Sequence, residues 1–387
     1  MSREALLILT LAAGLSAALN LEVRPAPAAA GDEALAEAQR RAAANPRDAA
    51  ALRALGDALE VKGQLAEAKA AYRRALEVDP NQADTRAGLA RVLAQSGEDA
   101  AAIAEQQKVT ELLPKDPEAY HFLGVLALRA KQSDRALAAW KRALQIQPDY
   151  VAALNDLGTL LLEQGKGGEA IPHLERAVAA APGLPTARAN LGFAYLRAGR
   201  GADAIKEYRA LVDLQPGDPE AMRSLALAYL ETKQPEDALP LLRQVVRVDP
   251  SPERVRELGV ALLEARRADE AELVLKVAVI GRPDFGAAYV DLGRAQAARG
   301  DLEAALTSLR KGIELDPKDG EGHLALARLQ ARRKQPDAAW RHAREAERLG
   351  HPGAQALLAE LARESKEPPR EDRKAPPAKK ADPGRTR

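Results

Sequence analysis

The chain has no cysteine, which excludes disulfides, thiolate metal sites and cysteine nucleophiles. Aromatic residues make up only 3% of its 387 positions, too few for a sandwich or barrel built on aromatic and β-branched strands. Charge of one sign is also missing: 57 basic residues stand against 56 acidic ones, a formal net of +1. A protein dedicated to nucleic acid carries a basic excess over its whole binding domain, so that class is disfavoured. What the chain does have is 46% apolar residues beside 29% charged ones. The apolar share is mostly alanine and leucine, the strongest helix formers. An all-α protein is expected.

The two ends read differently from the middle. Residues 5 to 21 carry no charge, Arg3 precedes them, and small-residue cleavage sites follow at Ala26-Pro27-Ala28 or Ala28-Ala29-Ala30. That layout in residues 1–30 matches a secretory signal peptide. An uncleaved N-terminal anchor and a cytosolic amphipathic leader are the alternatives. An anchor of this length reaches roughly 25 Å at ~1.5 Å per residue, short of the ~30 Å hydrocarbon core. Residues 364–387, from Glu364 to Arg387, lack apolar periodicity, are rich in proline and end basic, with Lys374, Lys379, Lys380, Arg385 and Arg387. Such a composition buries too little surface to offset its ordering entropy, so a disordered basic tail is expected.

Between the ends one phrase recurs. AYRRALEVDPNQAD at residues 71–84 returns as AWKRALQIQPDYVA at 139–152 and as SLRKGIELDPKDGE at 308–321. Prolines stand at 46, 80, 114, 148, 182, 216, 250, 283 and 317, at intervals of 34 residues six times, then 33, then 34. Proline ends helices, and a fixed interval between helix ends means one repeated structural unit. Numbered so that this proline is position 32, nine units begin at residues 49, 83, 117, 151, 185, 219, 252, 286 and 320. Position 7 is leucine in every unit, from Leu55 to Leu326. Position 8 is glycine or alanine, position 20 is alanine from Ala68 to Ala339, and position 24 is usually bulky, as in Tyr72, Trp140, Leu174 and Tyr208. Positions 4, 7, 8 and 11 share one face of a first helix, and positions 20, 24 and 27 share one face of a second. Each unit is therefore a helical hairpin with small residues where the two axes approach. Glycine at position 15, as in Gly63, Gly97, Gly165, Gly199 and Gly300, suits a left-handed helix end.

Leu-Gly at positions 7 and 8, Ala at 20, an aromatic residue or Leu at 24 and Pro at 32 resemble the tetratricopeptide repeat (TPR). The resemblance covers residues 49–353. It implies an all-α, right-handed α-solenoid superhelix of about nine 34-residue helix-turn-helix repeats. The repeats would run 49–82, 83–116, 117–150, 151–184, 185–218, 219–251, 252–285, 286–319 and 320–353. Two departures stand out: position 4 is seldom aromatic, Tyr120 and Tyr289 being the exceptions, and His351 replaces the last proline. Residues 31–48 read as a capping half-repeat and residues 354–363 as a C-terminal capping helix. The missing residue falls near Asp249-Pro250-Ser251-Pro252, where a small change of pitch is expected.

Chemistry is hard to find. The five histidines show no HExxH spacing, no GxxxxGK[ST] occurs, and no serine sits on a nucleophile elbow. No enzyme, metal or cofactor is expected. In the family this chain resembles, the first helix of each repeat lines a concave groove with positions 2, 5, 9, 12 and 13. Position 9 reads Val125, Thr159, Phe193, Leu227 and Val260 across the middle five repeats, and position 12 reads Leu128, Leu162, Leu196, Leu230 and Leu263. Positions three apart stack on one face, so these ten residues are expected to form an apolar floor, although position 12 can equally be core between units. Arg294, Arg328 and Arg332 fall on the same inner face near the end of the array, as a candidate contact for an acidic segment. Peptide-clamping members of the family hold a ligand backbone with asparagine at position 9; none occurs here, which disfavours that mode.

The expected function is a non-enzymatic protein–protein interaction scaffold that takes apolar peptide or helix segments in its groove. Covering three or four floor side chains yields ~5–10 kcal/mol gross at ~1.5–3 each, against an association cost of ~4 kcal/mol or more. A micromolar, exchangeable partner follows, and Phe193→Asp is expected to abolish capture without unfolding. The alternative is an envelope assembly or secretion accessory that recruits a membrane machine. A third reading, an RNA-binding helical-repeat protein, wants basic and stacking residues where leucines sit. A monomer is expected, in the cell envelope, periplasmic or membrane-anchored, with membrane contact only through the N-terminal segment; a cytoplasmic location is the alternative.

Overall fold

The computed structural model describes residues 28–365, and side chains for 32–363. Residues 1–27 of the leader and 366–387 of the basic tail lie outside the described residues, and the first helix begins at Ala28, inside the expected leader. All the described regular structure is helical. The first capping helix is α1 (Ala28–Ala44), followed by α2 (Ala49–Val61), α3 (Leu65–Val78), α4 (Ala83–Gln95), α5 (Asp99–Leu112), α6 (Pro117–Arg129) and α7 (Ser133–Ile146). Then come α8 (Val151–Glu163), α9 (Gly167–Ala180), α10 (Pro185–Arg197) and α11 (Gly201–Leu214). A second compact unit starts at Gly217. It holds α12 (Pro219–Glu231), α13 (Pro235–Val248), α14 (Pro252–Glu264), α15 (Ala268–Gly281), α16 (Gly286–Arg299), α17 (Leu302–Leu315), α18 (Gly320–Arg332), α19 (Pro336–Arg348) and α20 (Ala354–Ser365). The nine even-numbered helices α2 to α18 begin at the nine residues at which the sequence period starts a repeat.

Local chemistry sets these boundaries. In the segments Pro46-Arg47-Asp48, Pro114-Lys115-Asp116, Pro216-Gly217-Asp218 and Pro317-Lys318-Asp319 the proline stops one helix and the aspartate caps the next. Asp48 accepts from the amides of Ala50 and Ala51, and Asp116, Asp218 and Asp319 act likewise. Position 15 is left-handed in every repeat. Glycine supplies it five times, but Lys131, Lys233, Arg266 and Lys334 adopt φ of 56–61° in repeats 3, 6, 7 and 9. The same two hydrogen bonds close each of these ends: Lys131 N donates to Leu128 O and Gln132 N to Ala127 O, both at 2.8 Å.

Each hairpin closes around position 24. Tyr72, Trp140, Leu174, Leu242 and Leu275 are among the largest fully buried side chains. Where position 8 is glycine it gives the bulky side chain room: a Cβ on Gly56 would sit 2.6 Å from Tyr72 Cε1, and one on Gly192 2.8 Å from Tyr208 Cζ. Within each unit every helix packs on the one before and the one after it. In the first unit α1 buries Ala38 and Ala42 against repeat 1. In the second, α20 buries Ala354, Leu357, Leu358 and Leu361 with Trp340 and Ala343 of the last repeat. Both ends of the array are thus covered by an amphipathic helix.

Candidate functional site

The first helices of the repeats carry the side chains that the sequence singles out. Consecutive first helices pack most closely in the pairs α2–α4, α8–α10, α14–α16 and α16–α18.

In the first unit Val125, Thr159, Leu162, Phe193 and Leu196 are all buried, and only Leu128 stays half-exposed. Phe193, at 5% exposure, is core rather than a landing surface. The physical reason is the direct packing of α8 on α10: positions 9 and 12 face the neighbouring first helix as well as the inner side. Thr159 is fixed by hydrogen bonds as well. Its hydroxyl donates to Asn155 O at 2.8 Å and accepts from Asn190 Nδ2 at 2.9 Å. In the second unit Leu230 is buried, whereas Leu227, Val260 and Leu263 are half-exposed. The open floor therefore shrinks from ten residues to these three and Leu128.

The three inner-face arginines also separate. Arg294 Nη1 lies 2.9 Å from Asp291 Oδ1 and 3.6 Å from Glu321 Oε1, so it is committed. Arg332 donates from Nη1 to the carbonyl of Ala297 at 2.7 Å. Arg129, at the same position of repeat 3, donates likewise to Ala94 O. Both arginines cap the last turn of the preceding first helix, where carbonyls lack helical partners. Only Arg328 is exposed with no bond or ion pair among the described residues.

Most polar side chains of the first helices pair from one repeat to the next. Arg91 forks onto Glu60 at 2.8 and 2.9 Å, and the ion pair holds its guanidinium firmly charged. His121 Nε2 meets Asp156 Oδ2 at 2.8 Å, Asn190 Nδ2 donates to Asn155 Oδ1 at 3.0 Å, and Arg256 Nε donates to Asp291 Oδ2 at 2.7 Å. This ladder spends its hydrogen bonds on register between repeats. Sequence reasoning missed it, although its partners stand 31 to 35 residues apart, close to the period itself.

A second missed surface lies on the second helix of repeat 7. Leu273, Val277 and Ile280 are 65%, 57% and 76% exposed. Spaced four and three apart, they form one stripe along α15. Among the described residues no group of three or more His, Asp or Glu could hold a metal ion, and no helix is long and apolar enough to cross a membrane.

The tetratricopeptide-repeat family models match residues 61–126, 161–226, 198–262 and 262–329, and also 123–185. No curated protein matches the chain. Among solved structures, a tetratricopeptide repeat protein from Parabacteroides merdae is 18% identical with a TM-score of 0.55, covering 63% of this chain and 98% of that one. PilF from Pseudomonas aeruginosa is 20% identical over 53% of this chain and 95% of its own, at a TM-score of 0.46. YrrB, described as a TPR protein with an unusual peptide-binding site, is 23% identical over 46% of this chain and 92% of its own, at 0.42.

Proposed function

The chain belongs to the tetratricopeptide-repeat family, and we propose that it is a non-enzymatic, monomeric scaffold that holds protein segments on the first helices of repeats 6 and 7. The observation that carries this reading is the trio Leu227, Val260 and Leu263, three apolar side chains left only half-buried on consecutive first helices. They are held on a rigid frame, because Arg223 of α12 and Glu257 of α14 pair beside them. Partly covered side chains yield less than the ~1.5–3 kcal/mol each of full burial, and association costs ~4 kcal/mol or more. The segment held there is weakly bound and exchangeable, and an apolar side chain on a helix or strand suits it best.

The test is photo-crosslinking from position 227 in the native host. Val260→Asp and Leu263→Asp should each abolish capture while leaving the thermal transition within a few degrees of the natural chain. Leu273→Asp, on the outer stripe, serves as the comparison. Capture that survives at Val260→Asp and is lost at Leu273→Asp transfers the docking role to the stripe of α15, the second reading that its exposure favours.

The leader supports a place in the cell envelope, where such a scaffold would act as an assembly or secretion accessory. Residues 5 to 21 are uncharged and small-residue cleavage sites follow them. Fractionation decides this point. A mature chain that begins near residue 30 and appears in the periplasmic fraction supports export, retention in membranes at high salt supports an anchor, and an intact cytosolic chain refutes both.

A further inference from the structure

The most exposed large apolar side chains among the described residues all belong to the second unit. Leu273, Val277 and Ile280 of α15 are 65%, 57% and 76% exposed, and Val248, the last residue of α13, is 65% exposed. No other large apolar side chain among the described residues exceeds 42%.

The stripe on α15 belongs to repeat 7 alone. Its residues occupy positions 22, 26 and 29, and none of the other eight repeats has a leucine, isoleucine, valine, methionine or aromatic residue at any of them. Position 26 is Arg74 in repeat 1 and Arg142 in repeat 3, for instance, and position 29 is Glu314 and Arg348 in the last two repeats. The hairpin core does not account for the stripe, because Ala271, Leu275 and Ala278 supply that core from another face of α15 and are fully buried. Aliphatic side chains kept in water where sister repeats carry charge mark a contact surface.

The surroundings narrow the occupant. Leucine, valine and isoleucine offer no hydrogen-bonding group, and no aromatic anchor stands among them, so nothing in the stripe would orient a folded partner. Three side chains also fall far short of the ~800 Å² per partner that a stable protein interface buries, which argues against a second copy of the chain. Fluid acyl chains demand neither shape nor area. A few aliphatic side chains at the headgroup boundary suffice when cations flank them.

Cations do flank this stripe. The carboxylates of α15 are all neutralised, Asp269 by Arg299, Glu270 by Arg243, and Glu272 by Lys276. Arg247 of α13 stands at the repeat position of Ile280, and Arg310 of α17 stands one residue before that of Val277. Both are exposed, and neither makes an ion pair among the described residues. The one carboxylate of these three helices without a cation among the described residues, Asp237, is in the first turn of α13, at the opposite end from Arg247.

We propose that this face of the second unit docks on a membrane surface rich in anionic lipid. Leu273, Val277 and Ile280, spread over roughly 10 Å at ~1.5 Å per residue, would enter the boundary between headgroups and acyl chains. Arg247 and Arg310 would meet lipid phosphates on either side of them. The proposal is independent of the groove on the first helices, and it places a membrane contact in the array itself, apart from any that the leader makes.

A chain without cysteine allows a local test. Val277→Cys creates a single thiol, which is labelled with a polarity-sensitive nitrobenzoxadiazole dye. The full chain is then mixed with vesicles of phosphatidylglycerol and phosphatidylcholine in equal parts, or of phosphatidylcholine alone. A blue shift and brighter emission are expected with the anionic vesicles only. In the same labelled chain Ile280→Asp, Arg247→Glu and Arg310→Glu should each weaken partition roughly tenfold, and added salt should weaken it as well. All three sites are exposed, so the thermal transition should not move. A label carried on Arg74→Cys, an exposed site at the same position of repeat 1, should stay in water even if the leader binds the vesicle. Val260→Asp should leave partition unchanged, which keeps failure of the groove separate from failure here.

The proposal is overturned if the label at position 277 ignores anionic vesicles, answers neutral ones equally, or behaves like the label at position 74. A shift that follows chain concentration without vesicles assigns the stripe to a second copy and also overturns it. So does photo-crosslinking from position 277 in the native host that yields a protein adduct in place of lipid.

Discussion

Arg223 lies flat against Glu257 between repeats 6 and 7, with Nε 2.9 Å from Oε2 and Nη2 2.9 Å from Oε1, and both side chains are at least nine-tenths buried. A charge pair taken out of water gains little net stability, but losing one partner strands the other. The two sides are not equivalent. Glu257 keeps Arg254 at 3.3 Å if Arg223 is removed, whereas Arg223 keeps only exposed Glu220 at 3.4 Å if Glu257 is removed. Glu257→Leu is therefore expected to cost about 3–5 kcal/mol, more than Arg223→Met, and the double variant should recover most of the loss. Urea unfolding of the four chains as a double-mutant cycle reads this directly.

The approach of Gly56 to Tyr72 sets a second expectation. The ring is fully buried, and its hydroxyl is held 2.7 Å from Asp57 Oδ1 and 2.9 Å from Glu60 Oε2. It cannot swing away from a new methyl group without breaking those bonds. Gly56→Ala should destabilise by about 1–3 kcal/mol despite alanine's better helix propensity. The same change at Gly168, where a Cβ would meet nothing within 4 Å, should leave stability unchanged or slightly raised. Thermal melts followed by circular dichroism separate the two.

The period, the hairpins and the helix starts were legible in the sequence because each depends on residues within one repeat. Proline at 32, alanine at 20 and leucine at 7 act locally, and they recur nine times. The fate of positions 9 and 12 depends instead on contacts between repeats. Phe193 and Leu227 occupy the same position, yet Phe193 is buried and Leu227 is not, and Val260 and Leu263 stay partly open although α14 packs on α16. No pattern within one repeat encodes those contacts. Phe193→Asp is accordingly expected to unfold the array locally rather than to abolish capture alone. Two features were readable and passed over: the ladder partners about one period apart, and the stripe of Leu273, Val277 and Ile280 at outward positions.

Four repeats end their first helix on a lysine or arginine in the left-handed region, where a side chain costs about 1–2 kcal/mol. Lys131, Lys233, Arg266 and Lys334 are all exposed, and none makes an ion pair among the described residues. Nothing offsets the strain. Glycine at each position should stabilise by about 0.5–1 kcal/mol after its greater unfolded-state freedom is subtracted. These four side chains share no bond or ion pair with one another, so the gains should add. The quadruple variant is expected to melt several degrees higher, and a lower melting temperature would mean that the basic side chains make contacts of their own.

The last expectation concerns acid. His323 Nε2 faces Pro317 O at 3.2 Å, so it donates there, which leaves Nδ1 to accept from His342 Nδ1 at the same distance. His342 therefore carries its hydrogen on Nδ1, and a second proton on this ring would enter at Nε2. Burial, followed by the fields of His323, Arg341 and Arg310, holds the pKa of His342 down to about 4, with Glu345 opposing. The unfolded chain takes up this proton near the ordinary 6.5, and the folded chain only near 4, so the unfolded state binds more protons between those values. Stability is full above about pH 6.5 and falls until about pH 4. Because His342 is only half-buried, the loss is discounted to about 1–2 kcal/mol. His342→Gln keeps an N–H for His323 but cannot titrate. Carboxylates other than Glu345, which His342 helps to hold low, contribute equally to both chains, so above the carboxylate range the difference between their pH–stability curves isolates the imidazole. It should change across pH 6.5 to 4 and be flat outside that window; a flat difference throughout would show that the fold does not hold the His342 imidazole neutral.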